Sequence, residues 1–296
     1  ILSPTIFNID AEDCLERIPT KGPTEGHGYA DDIKLIGTGI DEETIIANLQ
    51  KDLENLEIWA AENALNFNPN KTKAMILTRK RSVVHPKIYL QGVEIEYVQE
   101  FKYLGVTIDN KLNWRKHIEN QTKKAQIALN VGRRMIGQSW GLKPKQMTWL
   151  YRSIVRPILT YGAIVWVNSI ERTYINKLLQ KVQRTACMMI TGAMKSTPTA
   201  GMERLLNITP IHLHIKKEAI ACYARLKQTK TWRPKEGEPL WNRGHTHLIT
   251  KLVKEIPELN KPNDKLTTTH RTSKKFITTI EDLSLIHISE PTRRGI

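Results

Sequence analysis

Cysteine is scarce in this 296-residue sequence. Its three cysteines, Cys14, Cys187 and Cys222, are widely spaced, and none belongs to a Cys-x-x-Cys pair. An odd and scattered set does not form a disulfide framework or supply the ligand spacing of a cysteine-rich zinc site. A reducing compartment therefore fits, and no disulfide-linked partner is expected. We expect an intracellular protein of the cytoplasm and nucleus.

Long hydrophobic runs are also missing. A membrane-spanning helix needs roughly 18 consecutive apolar residues, and the longest candidate, at residues 161–167, is far shorter. The sequence therefore predicts no membrane partner.

Acidic residues are almost absent from residues 111–200, which contain sixteen lysines and arginines but only Glu119 and Glu171. The rest of the chain is nearly neutral, so most of the net charge of +15 comes from this stretch. Passive protein surfaces mix both signs of charge, whereas a concentrated positive field is typical of a surface that faces a polyanion such as nucleic acid. A generally soluble basic surface is the simpler alternative.

The hydrophobic pattern predicts an α+β region followed by helices. We expect a helix at residues 3–17, a β-hairpin at 29–36, a helix at 41–63 and short strands at 74–78, 87–90 and 93–98. Further helices are expected at 115–136, from Lys145 with a kink or restart at Pro157, at 172–190 and at 212–226. Residues 229–282 show no periodicity and are predicted to form a poorly ordered linker.

A pair of adjacent carboxylates is the clearest chemical signal. Asp31 and Asp32 follow Tyr29 and Ala30 at the turn of the predicted hairpin. Neighbouring acids repel each other, and a hard cation such as Mg²⁺ relieves that repulsion because it prefers oxygen ligands and also binds phosphate. Since aspartate is common in turns, an ordinary Asp-Asp turn remains an alternative.

The Tyr-Ala-Asp-Asp sequence at residues 29–32 resembles the palm signature of reverse transcriptases. Further matches follow the same order along residues 1–228, and together they resemble the reverse transcriptases of non-LTR retrotransposons of the Jockey or R1 kind. They are Ile-Leu-Ser-Pro at 1–4 with Phe7 and Asn8, Leu-Asn-Phe-Asn at 65–68 with Lys71, Thr72 and Met75, Phe-Lys-Tyr-Leu-Gly at 101–105 with residues 112–114, and residues 151–157 with Tyr161, Gly162 and Trp166.

The resemblance implies a fold and a division of the chain. Residues 1–110 would be the C-terminal part of a polymerase palm, built of hairpins and helices, and the strongly basic residues 111–228 would be an all-helical thumb and linker region. Residues 283–296 resemble translated sequencing adaptor and are expected to be an artefactual tail.

The resemblance also implies roles for individual residues. Asp31 would be a principal Mg²⁺ ligand and Asp32 its less direct companion, within a site for two metal ions. Lys71 would protonate the departing pyrophosphate, although a solvated lysine after a turn is an equal alternative. The implied primer-binding residues are Tyr29, Tyr103, Leu104 and Gly105, the last three of which could instead form an ordinary buried hairpin strand.

Nucleic-acid contacts are expected along the basic region. Lys116, Lys123 and Arg134 are seven and eleven residues apart, so they share one helix face. The full predicted set is Lys116, Lys123, Lys124, Arg133, Arg134, Lys143 and Lys145. The expected partners are an RNA template, a DNA primer and deoxynucleoside triphosphates.

The family also needs a third carboxylate on an upstream strand, together with the fingers region, and neither is recognisable in this sequence. We therefore expect a piece of an RNA-directed DNA polymerase that is inactive alone, with an incomplete metal site. The alternative is a non-catalytic basic module that binds RNA or a primer–template duplex. A maturase-like intron protein is a weaker third interpretation.

Overall fold

The computed structural model describes residues 14–15, 17–18, 24–78, 85–137 and 140–228. The chain divides into two compact units, Ile1–Tyr161 and Gly162–Ile296. Most of the predicted helix at 3–17, the motif at 1–8, the predicted linker at 229–282 and the adaptor-like tail at 283–296 lie outside the described residues.

The first unit begins its described fold with an antiparallel hairpin. Strand β1, Thr24–Tyr29, pairs with β2, Asp32–Gly37, so that Tyr29 lies opposite Asp32 and residues Ala30 and Asp31 form the turn. The predicted hairpin is present, but its first strand begins earlier than expected.

Helix α1, Glu42–Glu62, follows the hairpin. It is capped by Asp41, whose carboxylate accepts a hydrogen bond from the Thr44 amide at 2.9 Å. Capping satisfies a backbone donor that has no partner within the first helical turn. The helix buries Leu56, Trp59 and Ala60 against Cys14 and Ile18, and the hairpin side chains Ile33 and Leu35 pack on this core.

Four very short strands come next, and they are shorter than the sequence pattern predicts. Lys73–Ala74 (β3) pairs in parallel with Glu96–Tyr97 (β6), whereas Tyr89–Leu90 (β4) and Val93–Glu94 (β5) form an antiparallel pair. The buried residues Ile88, Leu90 and Ile95 form their shared core. This region is therefore held by a small apolar cluster and by few ladder hydrogen bonds.

A second hairpin leads into a long helix. Strands β7, Glu100–Tyr103, and β8, Val106–Asp109, are antiparallel, and helix α2 spans Arg115–Arg134. Asp109 organises the loop between them, because its carboxylate accepts hydrogen bonds from the amides of Asn113 at 2.9 Å and Trp114 at 2.8 Å.

The first unit ends in a helix with an irregular middle. Helix α3, Pro144–Leu150, continues through a π-helical turn at Tyr151–Val155 into α4, Arg156–Thr160. In the π turn the Arg156 amide donates to the carbonyl of Tyr151, five residues earlier. A wider turn accommodates the ring of Pro157, which a regular α-helix would press against an earlier carbonyl.

All the regular elements in the described part of the second unit are helices. Its elements are α5 at Ala163–Trp166, a 3₁₀ segment at Val167–Glu171, α6 at Thr173–Thr191, α7 at Thr199–Leu205 and α8 at Ile211–Gln228. The two longest agree with the predicted helices to within a few residues. Ile175, Leu179, Val182, Ile211 and Ile215 are fully or almost fully buried and belong to the core of this unit.

Two cysteines belong to these interiors. Cys14 and Cys187 are free and buried, and burial raises the pKa of each thiol to about 11. Both thiols therefore act as small apolar side chains.

In the described part of the chain, no single helix is long and apolar enough to cross a membrane. The bent pair Pro144–Thr160 and Ala163–Glu171 reaches that length and composition only when the two helices are counted together.

Candidate functional site

The acidic turn has an unusual backbone. Ala30 adopts φ of 51°, in the left-handed region that side chains other than glycine avoid. For an L-residue this conformation costs about 1–2 kcal/mol. Asp31 and Asp32 follow directly, and both are exposed. The turn therefore holds two solvent-facing carboxylates on a strained but closely paired hairpin.

The two faces of β2 have different roles. Ile33 and Leu35 pack against the core formed with α1. Because side chains alternate along a strand, Asp32 and Lys34 lie on the opposite face. Tyr29 pairs with Asp32 across the hairpin and keeps 64% of its surface exposed.

Tyr103 brings the second hairpin next to this outer face. The Lys34 ammonium nitrogen lies 5.2 Å from the centre of the Tyr103 ring, which is cation–π distance. The pKa of Tyr103 is raised, first by partial burial and then by the negative charge of Asp32. The structure therefore places the strand that carries Asp32 and Lys34 next to the predicted primer-binding hairpin.

The turn of the second hairpin consists of Leu104 and Gly105. Both residues have positive φ, 46° and 81°, as in the tight turns that match the natural twist of two strands. Glycine adopts this conformation without strain, whereas leucine does not. Leu104 is exposed, so the tip of this hairpin is open to a ligand.

Lys71 is not brought into this arrangement. It is exposed and lies in a turn in which its amide donates to the Asn68 carbonyl at 3.1 Å. Within the described residues, no hydrogen bond or ion pair joins Lys71 to Asp31 or Asp32. Its predicted role as a proton donor therefore stays a prediction.

The predicted basic residues are exposed on α2 and at the start of α3. Seven residues of α2 are buried: His117, Ile118, Gln121, Thr122, Ala125, Leu129 and Gly132. By helical periodicity Lys116, Lys123 and Arg134 lie directly opposite that buried set. Two apolar residues, Ile127 and Val131, are exposed on the same side, at 64% and 47%.

Most of the predicted basic set is without a carboxylate partner in the part of the chain that the structure describes. Lys116 is the exception, because its ammonium lies 3.8 Å from a carboxylate oxygen of Glu100 on β7. Lys124 acts electrostatically on the buried His117 and helps to lower its pKa. The remaining members are all exposed positive charges: Lys123, Arg133, Arg134, Lys143 and Lys145.

The donor atoms of the acidic turn are suited to magnesium. This ion commonly binds through one or two carboxylates and completes its shell with water and substrate phosphates, and Asp31 and Asp32 supply two exposed carboxylates. Among the described residues, no group of three or more histidine, cysteine, aspartate or glutamate side chains is arranged to hold a metal. The pair therefore fits a metal that is shared with a phosphate ligand rather than one enclosed by protein.

The sequence analysis gives no role to Lys34, Asp109 or His117, and it names Tyr161 only as part of a motif that resembles the family. Lys34 had a usable signal, because it is two residues after Asp32 on a predicted strand and must share its face. The contacts of His117 and Tyr161 had no such signal, because each is made with a hairpin that precedes the residue and the sequence alone does not show such pairs.

Comparison with known proteins supports the family resemblance of the sequence. Residues 1–108 match the family model described as reverse transcriptase (RNA-dependent DNA polymerase). Those residues are therefore similar to a reverse transcriptase domain, and the predicted resemblance to non-LTR retrotransposon polymerases is confirmed.

The curated relatives extend the similarity beyond that segment. The chain is 23% identical over 222 residues to a putative 115 kDa protein of the type-1 retrotransposable element R1DM of Drosophila melanogaster, covering 74% of this chain and 21% of the relative. It is 28% identical over 220 residues to the RNA-directed DNA polymerase from mobile element jockey of the same species, covering 70% and 23%.

A Bradysia coprophila polyprotein from type-1 retrotransposable element R1 is 25% identical over 227 residues, covering 73% of this chain and 22% of the relative. The chain thus spans about a fifth of the length of these curated relatives. No solved structure gives a significant match.

Proposed function

We propose that this chain contributes the acid pair and the primer-binding hairpin of an RNA-directed DNA polymerase. The observation that carries the proposal is the cation–π contact of Lys34 with Tyr103, which joins the strand that follows the acidic turn to the second hairpin. The charge of Asp32 also acts on Tyr103 and helps to raise its pKa. A polymerase needs this proximity, because the primer end must lie beside the groups that promote its reaction.

The proposed reaction is nucleotidyl transfer. The 3′ hydroxyl of the DNA primer attacks the α-phosphorus of a deoxynucleoside triphosphate, a new phosphorus–oxygen bond forms, and the bond to pyrophosphate breaks. The hydroxyl proton leaves to solvent or to a nearby base. Two Mg²⁺ ions, when bound, stabilise the attacking and leaving oxygens.

The residues of this chain have distinct roles in that proposal. Asp31 and Asp32 hold the metal, while Tyr29 and the turn at Leu104 and Gly105 contact the primer end. Lys71 is retained as the group that protonates pyrophosphate, a step that neutralises charge on a poor leaving group. The basic residues of α2 and α3 bind the phosphates of the template–primer duplex.

The proposed partners are an RNA template, a DNA primer and deoxynucleoside triphosphates. We also propose action in the cytoplasm and nucleus, where these molecules occur. The division into palm at residues 1–110 and basic helical region at 111–228 belongs to the same proposal, as does inactivity of the chain by itself.

Primer extension tests the assignment of the acid pair. A longer protein joins this chain to the upstream segment of a full-length relative, and extension is measured on an RNA template with Mg²⁺. Asp31→Asn is expected to lower the rate by several orders of magnitude, and Asp32→Asn by less. Asp41→Asn is the matched control, because asparagine caps a helix as well as aspartate does.

A second candidate function is a non-catalytic module that binds a primer–template duplex. The observation that favours it is the lack of a third acidic or histidine ligand beside the pair among the described residues. The two functions differ in the extension assay: primer extension unaffected by Asp31→Asn would contradict the metal assignment and favour the binding module.

A further inference from the structure

Tyr161, at the end of the first unit, contacts the tip of the second hairpin. Its hydroxyl donates a hydrogen bond to the carbonyl oxygen of Leu104 at 2.8 Å. Its ring lies so close to Gly105 that a methyl group added there would be 3.0 Å from ring carbon Cε1. A distant residue thus holds both central positions of the turn.

The contact stabilises a turn whose backbone conformation is unfavourable by itself. Leu104 lies in the left-handed region at φ of 46°, and it is outside the ladder because Tyr103 pairs with Val106 across it. The carbonyl of Leu104 therefore has no partner on the opposite strand, and Tyr161 supplies one. Without that hydrogen bond, only the glycine beside it favours this backbone conformation.

A second side chain holds the same hairpin from the side. The Nδ1 atom of His117 accepts a hydrogen bond from the amide of Thr107 at 3.2 Å. The backbone of Tyr161 also interacts with His117 and opposes the lowering of its pKa by burial. Helix α2 therefore holds the hairpin at its edge, and Tyr161, the residue directly after α4, holds it at its tip.

The exposure of this contact indicates what it is for. Tyr161 keeps 50% of its surface and Leu104 38%. A hydrogen bond that is open to water adds little to folding, because water can replace either partner. The contact does, however, fix the direction in which the tip of the hairpin presents its backbone.

We propose that Tyr161 is a positioning residue for the primer. Its hydroxyl and ring set the place of the turn at Leu104 and Gly105, and the turn then contacts the sugar–phosphate backbone next to the primer 3′ end. This inference rests on the proposed function, because it takes the second hairpin as the primer-binding element.

Photo-crosslinking on the full chain tests the inference. The probe is an RNA template annealed to a DNA primer whose 3′-terminal nucleotide is 4-thiothymidine, and the crosslinked peptide is identified by mass spectrometry. The wild-type chain is expected to crosslink within residues 103–105. Tyr161→Phe removes the hydroxyl and keeps the ring, and it should lower that crosslink severalfold, because the turn no longer presents its backbone in one fixed direction.

Two further measurements separate positioning from folding. Tyr161→Phe should keep duplex affinity within about twofold of wild type, because the basic surface is intact, and its Tm within about 2 °C. Tyr89→Phe is the matched control, since Tyr89 is a similarly exposed tyrosine of the same unit. It should change neither the crosslink yield, nor the duplex affinity, nor the Tm. Gly105→Ala is a second variant, expected to lose the crosslink because a methyl group there displaces the Tyr161 ring.

The outcomes distinguish the inference from the function on which it rests. If the wild type crosslinks at the turn and Tyr161→Phe does so equally, the positioning role is wrong and the proposed function stands. A crosslink lost together with several degrees of Tm would show a structural role instead. If the wild-type chain does not crosslink at residues 103–105, the primer-binding assignment is wrong, and the inference fails with it.

Discussion

The ammonium group of Lys34 lies over the ring of Tyr103, 5.2 Å from its centre, and this contact links two hairpins that are far apart in the sequence. Lys34 follows Asp32 by two residues on the same strand, so the cation and the acid share one face. The outer face of the first hairpin therefore carries a carboxylate and an ammonium group, and the aromatic ring of the predicted primer-binding hairpin lies against it.

A double-mutant cycle measures this contact. Lys34→Gln and Tyr103→Leu should show a coupling of about 0.5–1 kcal/mol in the free energy of unfolding, the usual strength of a cation–π pair near the surface. Urea denaturation of the two single variants and the double variant supplies the values.

Lys102→Gln paired with Tyr103→Leu is the control for that cycle. Lys102 is an exposed lysine next to Tyr103 on β7, and its side chain lies on the other face of the strand. Its coupling should be near zero. Equal coupling for Lys34 and Lys102 would contradict a specific contact.

The strain at Ala30 predicts a stabilising substitution. Ala30→Gly relieves the left-handed conformation at φ of 51°, and this gain exceeds the greater entropy that glycine has in the unfolded chain. We expect an increase of up to about 1 kcal/mol in the free energy of unfolding. Thermal or urea denaturation measures it.

Ala47→Gly is the matched control, because Ala47 is exposed within helix α1, where glycine should cost about 1 kcal/mol. The two substitutions are thus predicted to have opposite signs. A loss of stability at Ala30 similar to that at Ala47 would show that the turn is unstrained.

We predict that the free energy of unfolding depends on pH through His117. Burial is the main cause that lowers its pKa below 6.5, Lys124 contributes further, and the backbone of Tyr161 opposes the shift. The unfolded state therefore binds more protons than the folded state as the pH falls through about 6.5, so the contribution of His117 to stability decreases toward acid. The free energy of unfolding should rise with pH from about 5 to 7.

His117→Asn separates this residue from other titrating groups, since an asparagine oxygen can still accept a hydrogen bond but does not titrate. The variant should have a smaller slope of unfolding free energy against pH in the same window. An unchanged slope would assign the pH dependence to another group.

The long helices could be predicted from sequence because their apolar residues recur at helical spacing over many turns. The strands at β3 to β6 were predicted longer than they are, since a run of β-favouring residues does not show where pairing stops. The acidic turn could also be predicted, from its residue types and from the family resemblance. The contact of Tyr161 with Leu104 was not, because it depends on how a helix returns to a hairpin 57 residues earlier.

The exposed positive charges of α2 predict strongly salt-dependent binding of a primer–template duplex. Each phosphate contact contributes about 0.9 to the slope of log affinity against log salt concentration, because a condensed counterion is released. Replacing Lys116, Lys123 and Arg134 together by glutamine should therefore reduce the slope by about two to three and weaken binding at low salt. Lys116 should contribute least to this change in slope, because its ammonium nitrogen lies 3.8 Å from a carboxylate oxygen of Glu100.

The control variant removes the same number of positive charges from another part of the chain. Lys51, Arg204 and Lys217 are exposed and lie outside residues 111–200, so their joint replacement by glutamine should leave the slope almost unchanged. Fluorescence anisotropy at several salt concentrations provides both slopes. If the two triple variants lose affinity equally, net charge alone drives binding and α2 has no special role. If only the α2 variant loses affinity and slope, the duplex contacts the face opposite its buried residues.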